Sequence, residues 1–203
     1  MTVTETSLTP RQVDIVDAAM RVFADHGFRG GTVQLIAQAA GLSQPGLIHH
    51  FPTKEAILMA VLEHRDVDDR VIAEPAIVDG ANVVEVYRRI LIHNAERSDR
   101  MRFFAVMSAE ALSTDHPAHD YFKRRFHDTV AATKTIVRAN QTAGSIRDDL
   151  SADAITELVL AAAHGFRYAV LVGDDLLRHL TILDALEHLL RPADQPASAH
   201  HRT

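Results

Sequence analysis

Residues 32–51 read TVQLIAQAAGLSQPGLIHHF. Thr32 and Ser43 are residue types whose hydroxyl caps a helix N-terminus, and each precedes about two turns of helical pattern. Val33, Ile36, Ala37 and Ala40 line one side of the first segment, and Leu47 and Phe51 one side of the second. Gly41 stands where a helix leaves through the left-handed region. Two short helices around a tight turn match the helix-turn-helix, whose second helix enters the DNA major groove while the first crosses the backbone. The spacing alone also suits an αα corner inside a helical bundle.

The second short helix adds chemistry to the spacing. Opposite its apolar side it carries Ser43, Gln44 and His50, a polar surface without fixed charge. Such a surface suits base edges, since Gln bonds adenine N6 and N7 together and Ser serves either base. Lys54 falls in the first turn of the next helix, capped by Thr53. A cation there opposes the macrodipole by about 0.3–1 kcal/mol, and a phosphate drawn to that terminus gives it a reason to be there.

Outward from this stretch the pattern stays helical. Thr9-Pro10 opens a first helix with Ile15, Val16, Ala19, Val22 and Phe23 on one face, ending at His26-Gly27. The Thr53-capped helix runs to about Asp69, with a break near Pro75–Gly80. Further helical runs cover about 81–97, 100–113, 117–143, 152–172 and 175–191. Period-two Val/Thr/Tyr runs are absent, so the fold class is all-α: an N-terminal three-helix helix-turn-helix head on a larger helical body. The organisation expected is a DNA-binding domain over 1–52 (motif 32–51), a body over 53–191, and a frayed Pro/Ala/His-rich tail over 192–203.

At this point residues 11–62 resemble the DNA-binding head of the TetR (tetracycline repressor) family of bacterial transcription regulators. The stretches IVDAAMRVFADHGFRGGTV, LIAQAAGLSQPGLIHHF and PTKEAILMAVL carry the resemblance without a gap. By position it implies that Thr32 and Gln34 approach phosphate, and that Ser43, Gln44 and Gly46 face the groove with Pro45 shaping the helix start. His49 and His50 then lie near the DNA backbone, and Lys54 grips a phosphate. The chain departs from the family at Ile48, where Tyr is usual, and at Gly46, where Thr or a similar residue is common. The resemblance also implies a double-stranded operator partner, a small-molecule effector housed in the body, and ligand-driven separation of the two heads of a homodimer.

Charge and composition bound the alternatives. The 203 residues carry a net charge of −6, with 47% hydrophobic and 24% charged side chains, and there is no Cys. A cystine framework, a thiolate zinc site and a cysteine nucleophile are excluded. Even residues 1–60 are not basic: Arg11, Arg21, Arg29 and Lys54 face Glu5, Asp14, Asp17, Asp25 and Glu55. Few phosphates are then neutralised per head, and DNA affinity should fall gently with salt. His64-Arg65-Asp66 mimics a kinase triplet, but Val71 stands where Asn is required. No Glu is followed by His three places on, as a di-iron bundle requires. No catalytic residue and no cofactor are expected. His116 and His119 beside Asp115 form an H-x-x-H pair, read as loop histidines rather than a metal site. The alternative to a DNA-binding regulator is a helical small-molecule-binding or interaction module without DNA binding.

In the body, aromatic residues mark either plain core or an effector site: Tyr87, Phe103, Phe104, Phe126 and Tyr168, with His93, His164 and Arg167 as polar groups on otherwise apolar faces. Arg167 favours an anionic or carbonyl-bearing ligand if it lines a pocket, and otherwise pairs with a carboxylate. The run Leu158–Ala163 is apolar around the whole helix circumference, so one face needs a partner. Leu176, Leu180, Leu183, Leu186 and Leu190 form a stripe on the last helix, widened by Leu177 and Leu189. A four-helix homodimer interface follows, with Ala162 at its centre. The most apolar window, Ile155–Gly173, contains Glu157, His164 and Arg167, against a membrane span. With no signal-like N-terminus, a cytoplasmic protein without membrane contact is expected.

Overall fold

The computed structural model describes residues 8–173 and 176–192, without the side chains of 176–179. All regular structure among them is helical: α1 (Pro10–Gly30), α2 (Val33–Ala39), α3 (Gln44–His50), α4 (Lys54–Val78), α5 (Val83–Ala95), α6 (Ser98–Glu110), α7 (His119–Thr142), α8 (Ala152–Val172) and α9 (Leu176–Leu190). The all-α expectation holds. The tail expected over 192–203 lies, beyond Pro192, outside the described residues.

Local chemistry sets most helix starts. Thr9 and Gln12 form a reciprocal capping box at α1, with Pro10 in its first turn. Ser151 Oγ accepts from the Ala154 N–H to start α8. The chain is non-helical at Gly27 (φ 67°), where the sequence ends the first helix, and one further turn then runs to Gly30. The helix expected to end near Asp69 runs on to Val78, and the break expected near Pro75–Gly80 follows it there. Pro75 lies inside α4, where its missing N–H leaves the Val71 carbonyl without its helical donor. The exit is closed by Ala81 N–H donating to Ala76 O at 3.0 Å and Gly80 N–H to Ile77 O at 3.1 Å.

The chain forms two compact units, residues 1–71 with 93–124 and residues 72–92 with 125–203. The core of the first takes Ile15, Val16, Ala19 and Phe23 from α1, Ile36 and Ala37 from α2, Leu47 from α3, Ile57, Leu58, Val61 and Leu62 from α4, and Phe103 and Met107 from α6. The head expected to close at residue 52 therefore shares one core with α4 and α6. Phe103, expected as a ligand contact, is fully buried there, its ring 6.4 Å from that of Phe23.

Two buried arginines belong to this unit. Arg65 pairs with Asp69 at 3.0 Å and lies over the Phe104 ring at 4.0 Å, while Arg100 pairs with Asp68. Tyr121 donates from its hydroxyl to Asp66. Deleting one partner of such a buried pair leaves an uncompensated charge, costing about 3–5 kcal/mol.

The second unit is built on Val83, Val84 and Leu91 of α5, Val137 of α7, Ile155, Val159, Ala163 and Phe166 of α8, and Leu183, Leu186 and Leu190 of α9. The leucine stripe that the sequence offers as a dimer face is thus mainly the inner face of α9. Its Leu176 and Leu177 have side chains outside the described set. Arg147 closes the end of α9, with its backbone N–H on Leu190 O at 2.8 Å and its guanidinium on Leu189 O at 3.1 Å. By length and composition α8 is apolar enough to cross a membrane, with mean hydropathy 1.4. Outside the core, Leu158, Ala161, Gly165, Tyr168 and Val172 are exposed along one side of the helix, with Glu157 and His164 exposed beside them. Ala162, expected at the centre of an interface, is half-buried and packs against the unit's own core.

Candidate nucleic-acid interface

Three buried side chains, Ile36 and Ala37 of α2 and Leu47 of α3, fix the two short helices on the first unit's core. The turn between them is held by Leu42 N–H to Ala37 O at 2.8 Å and Gly41 N–H to Gln38 O at 3.1 Å. Gly41 takes φ 65° there, a conformation costly for a side chain with a Cβ. Thr32 Oγ1 accepts from Leu35 N–H and Ser43 Oγ from Gly46 N–H, each at 3.2 Å. Both hydroxyls singled out in the sequence therefore act first as N-caps.

The opposite surface is open. Thr32, Gln34, Gln38, Ser43, Gln44, Pro45, Ile48 and His49 are exposed, with Gly46 and His50 half-buried. Of the expected DNA-facing residues, Gln34 of α2 and Gln44 of α3 line one depression. Gln38 joins them unforeseen: with Gln34, Ala37, Leu42 and Gln44 it lines an open depression of about 620 Å³. Its position four residues after Gln34, on the same helix face, is the sequence signal that points to it.

The cations around this surface are already engaged. Lys54 donates to Phe28 O at 2.9 Å and sits 4.2 Å from the Phe28 ring centroid. Its place against the α4 macrodipole thus has a cause within the chain. Arg11 donates to Ala40 O at 3.0 Å, at the carbonyl end of α2, and pairs with Asp14 at 3.4 Å. Arg29 pairs with Asp115 at 3.4 Å.

The residues considered for a ligand are divided between the two units. His93, Phe103 and Phe104 belong to the first unit, and Tyr87, Phe126, His164, Arg167 and Tyr168 to the second. Phe126 and Tyr168 are 50% and 70% exposed. Tyr87 shares a 2.6 Å hydrogen bond with Thr133, which donates onward to Thr129 O at 2.7 Å. Partial loss of hydration, then the Arg167 and Arg125 cations, hold the His164 pKa below the usual imidazole value. Among the described residues no group of three or more His, Asp or Glu is placed to hold a metal ion. His119 Nδ1 lies 2.9 Å from Ala111 O, and His116 Nδ1 accepts from Ala118 N–H at 3.2 Å, so both rings serve the α6–α7 connection.

Residues 15–61 match the family model described as bacterial regulatory proteins, tetR family. The chain is 30% identical over 199 residues to the HTH-type transcriptional repressor AcnR of Corynebacterium diphtheriae, covering 96% of this chain and 98% of that protein. Among solved structures it is similar to a SmeT–triclosan complex, with TM-score 0.73 and 19% identity over 96% of this chain and 99% of the other. It is also similar to AibR in complex with isovaleryl coenzyme A and operator DNA, with TM-score 0.65 and 22% identity over 89% of this chain and 97% of the other. At these identities the two structures speak for the fold.

Proposed function

Because the chain belongs to the tetR family of bacterial regulatory proteins, we propose that it is a ligand-responsive transcriptional repressor that binds a pseudo-palindromic operator as a homodimer. The observation that carries this reading is the exposed, uncharged outer face of α3, seated on a buried core and flanked by the open side of α2. Gln44 is the principal base reader, on adenine N6 and N7, with Ser43, Pro45 and Gly46 beside it. Thr32, Gln34, His49 and His50 border the DNA backbone. Lys54 reaches phosphate by leaving the Phe28 carbonyl.

The dimer is supported by the outward stripe of α8 together with Ile182 and Leu189 of α9, which are 37% and 58% exposed. Exposed apolar side chains in such number are unsuited to water in a lone chain. A partner copy, rather than a membrane, covers it. Two heads so joined meet successive major grooves about one helical turn apart.

The effector is a small molecule bound in the helical body; the similar SmeT and AibR structures are complexes with triclosan and with isovaleryl coenzyme A and operator DNA. Tyr87, His164 and Arg167 of the second unit are the side chains offered to it, and Arg167 favours an anionic or carbonyl-bearing group. Its binding shifts the dimer toward a head spacing that the operator does not fit, which takes several kcal/mol of preference for that state. The protein works without catalysis, in the cytoplasm. The test is a gel shift with the DNA upstream of the chain's own coding region, followed by a thermal-shift screen of metabolites and release of the complex by any hit. Absence of a shift with that DNA and with randomised duplex alike overturns the reading.

A further inference from the structure

Resting on that reading, we infer that Ile48, with Pro45, is a specificity determinant that reads the 5-methyl group of thymine beside the adenine taken by Gln44. Leu47 and Phe51 point α3 inward. At about 100° per residue, Pro45 and Ile48 then lie side by side on the exposed flank, three residues apart, with Gln44 four residues before Ile48. Ile48 is 49% exposed, a branched apolar side chain where a polar residue would be better hydrated and a straight-chain one better in a helix. It packs no core, so folding gives no reason for it.

A major-groove edge supplies one. Thymine presents a methyl group and adenine a paired donor and acceptor, so an amide beside an apolar spot matches an A·T-containing step. Cation attraction is weak on this face, with Lys54, Arg11 and Arg29 each held by a partner in the chain. Short-range apolar contact thus carries a larger share of the affinity here than where charge dominates.

The experiment selects duplexes from a random pool with the full-length protein. Each thymine of the enriched site is then replaced singly by deoxyuridine, which deletes only the methyl. The expected result is a loss of about fourfold in Kd at one or two thymines per half-site, the equivalent of one buried methyl at ~0.8 kcal/mol. Ile48→Ala should lose affinity for the thymine site by a similar factor and be indifferent to deoxyuridine at those positions. Ile48 is exposed, so the variant keeps the fold, which circular dichroism checks. Enrichment of a site whose deoxyuridine profile is flat, or equal in wild type and Ile48→Ala, overturns this inference and leaves the DNA-binding reading standing. Failure to enrich any duplex overturns both.

Discussion

The Glu110 carboxylate of α6 accepts the backbone N–H of Phe28 at 2.8 Å, across 82 residues of sequence. It sits against the interruption of α1 at Gly27 and ties that kink to α6. A Cβ on Gly27 would stand 2.2 Å from Glu110 Oε1, at a φ of 67° that side chains seldom adopt. Gly27→Ala is expected to cost about 1–3 kcal/mol in urea unfolding. In a Glu110→Ala background the same change should cost less, since only the backbone strain remains. Equal costs in both backgrounds would deny that the carboxylate occupies this space.

His116 packs on the Phe28 ring at 5.2 Å between centroids, with its Nε2 buried 3.5 Å from Glu110. Burial lowers its pKa, and the opposing pull of Glu110 and Asp115 does not restore it. His64 is also lowered, by burial first and then by Arg100 and Arg97 against the pull of Asp17. Both rings bind a proton less readily folded than unfolded, so the unfolded chain takes up more protons and stability rises with pH. The contribution is complete above the unfolded value of about 6.5 and fades as pH falls below it. Denaturation midpoints should therefore drop between pH 7.5 and 5.5, and less so in His116→Gln. A slope left unchanged by that substitution would remove His116 from the account.

What the sequence discloses about this fold is its local grammar. Thr9, Thr32 and Ser43 cap where their residue types say they should, and Gly41 makes the turn its position demands. The surface of α3 is legible for the same reason, since two buried positions on a two-turn helix fix what faces out. Partners far along the chain leave no periodic trace. Phe103 belongs to the core shared with the head, and Lys54 is held by a carbonyl 26 residues earlier. Nor does a leucine stripe say which side of α9 faces home: Leu183, Leu186 and Leu190 pack inward, leaving Ile182 and Leu189 outside. Pro75 misleads because the penalty for proline falls where a helix has few turns left to lose.

Salt dependence tests how the head holds DNA. Arg11, Arg29 and Lys54 are its cations nearest the motif, and each has a partner within the chain. If about two phosphates are neutralised per head, the slope of log K against log salt for the dimer is about −4, at −0.9 per contact. Titration of operator binding from 50 to 300 mM salt measures it. A slope near −10 would require basic contacts that this surface lacks. Lys54→Met should bring the slope closer to zero by about two for the dimer, one contact on each head.

The dimer face can be separated from the body core by adjacent residues of one helix. Ala161 lies on the exposed stripe of α8 with Leu158, Tyr168 and Val172, whereas Ala162 packs against the second unit's core. A Cβ built on Gly165, in the same stripe, meets nothing within 4 Å, so a second helix has room to come close. Ala161→Glu places a charge where the partner copy would bury it, yet in solvent for the lone chain. It should yield a folded monomer with unchanged helical circular dichroism and operator binding weakened at least a hundredfold, because one head alone meets one half-site. Ala162→Glu should instead lower the thermal midpoint, since the charge enters the chain's own packing. Light scattering, circular dichroism melts and gel shifts on the two variants distinguish these outcomes. A dimer that survives Ala161→Glu would move the interface away from this stripe.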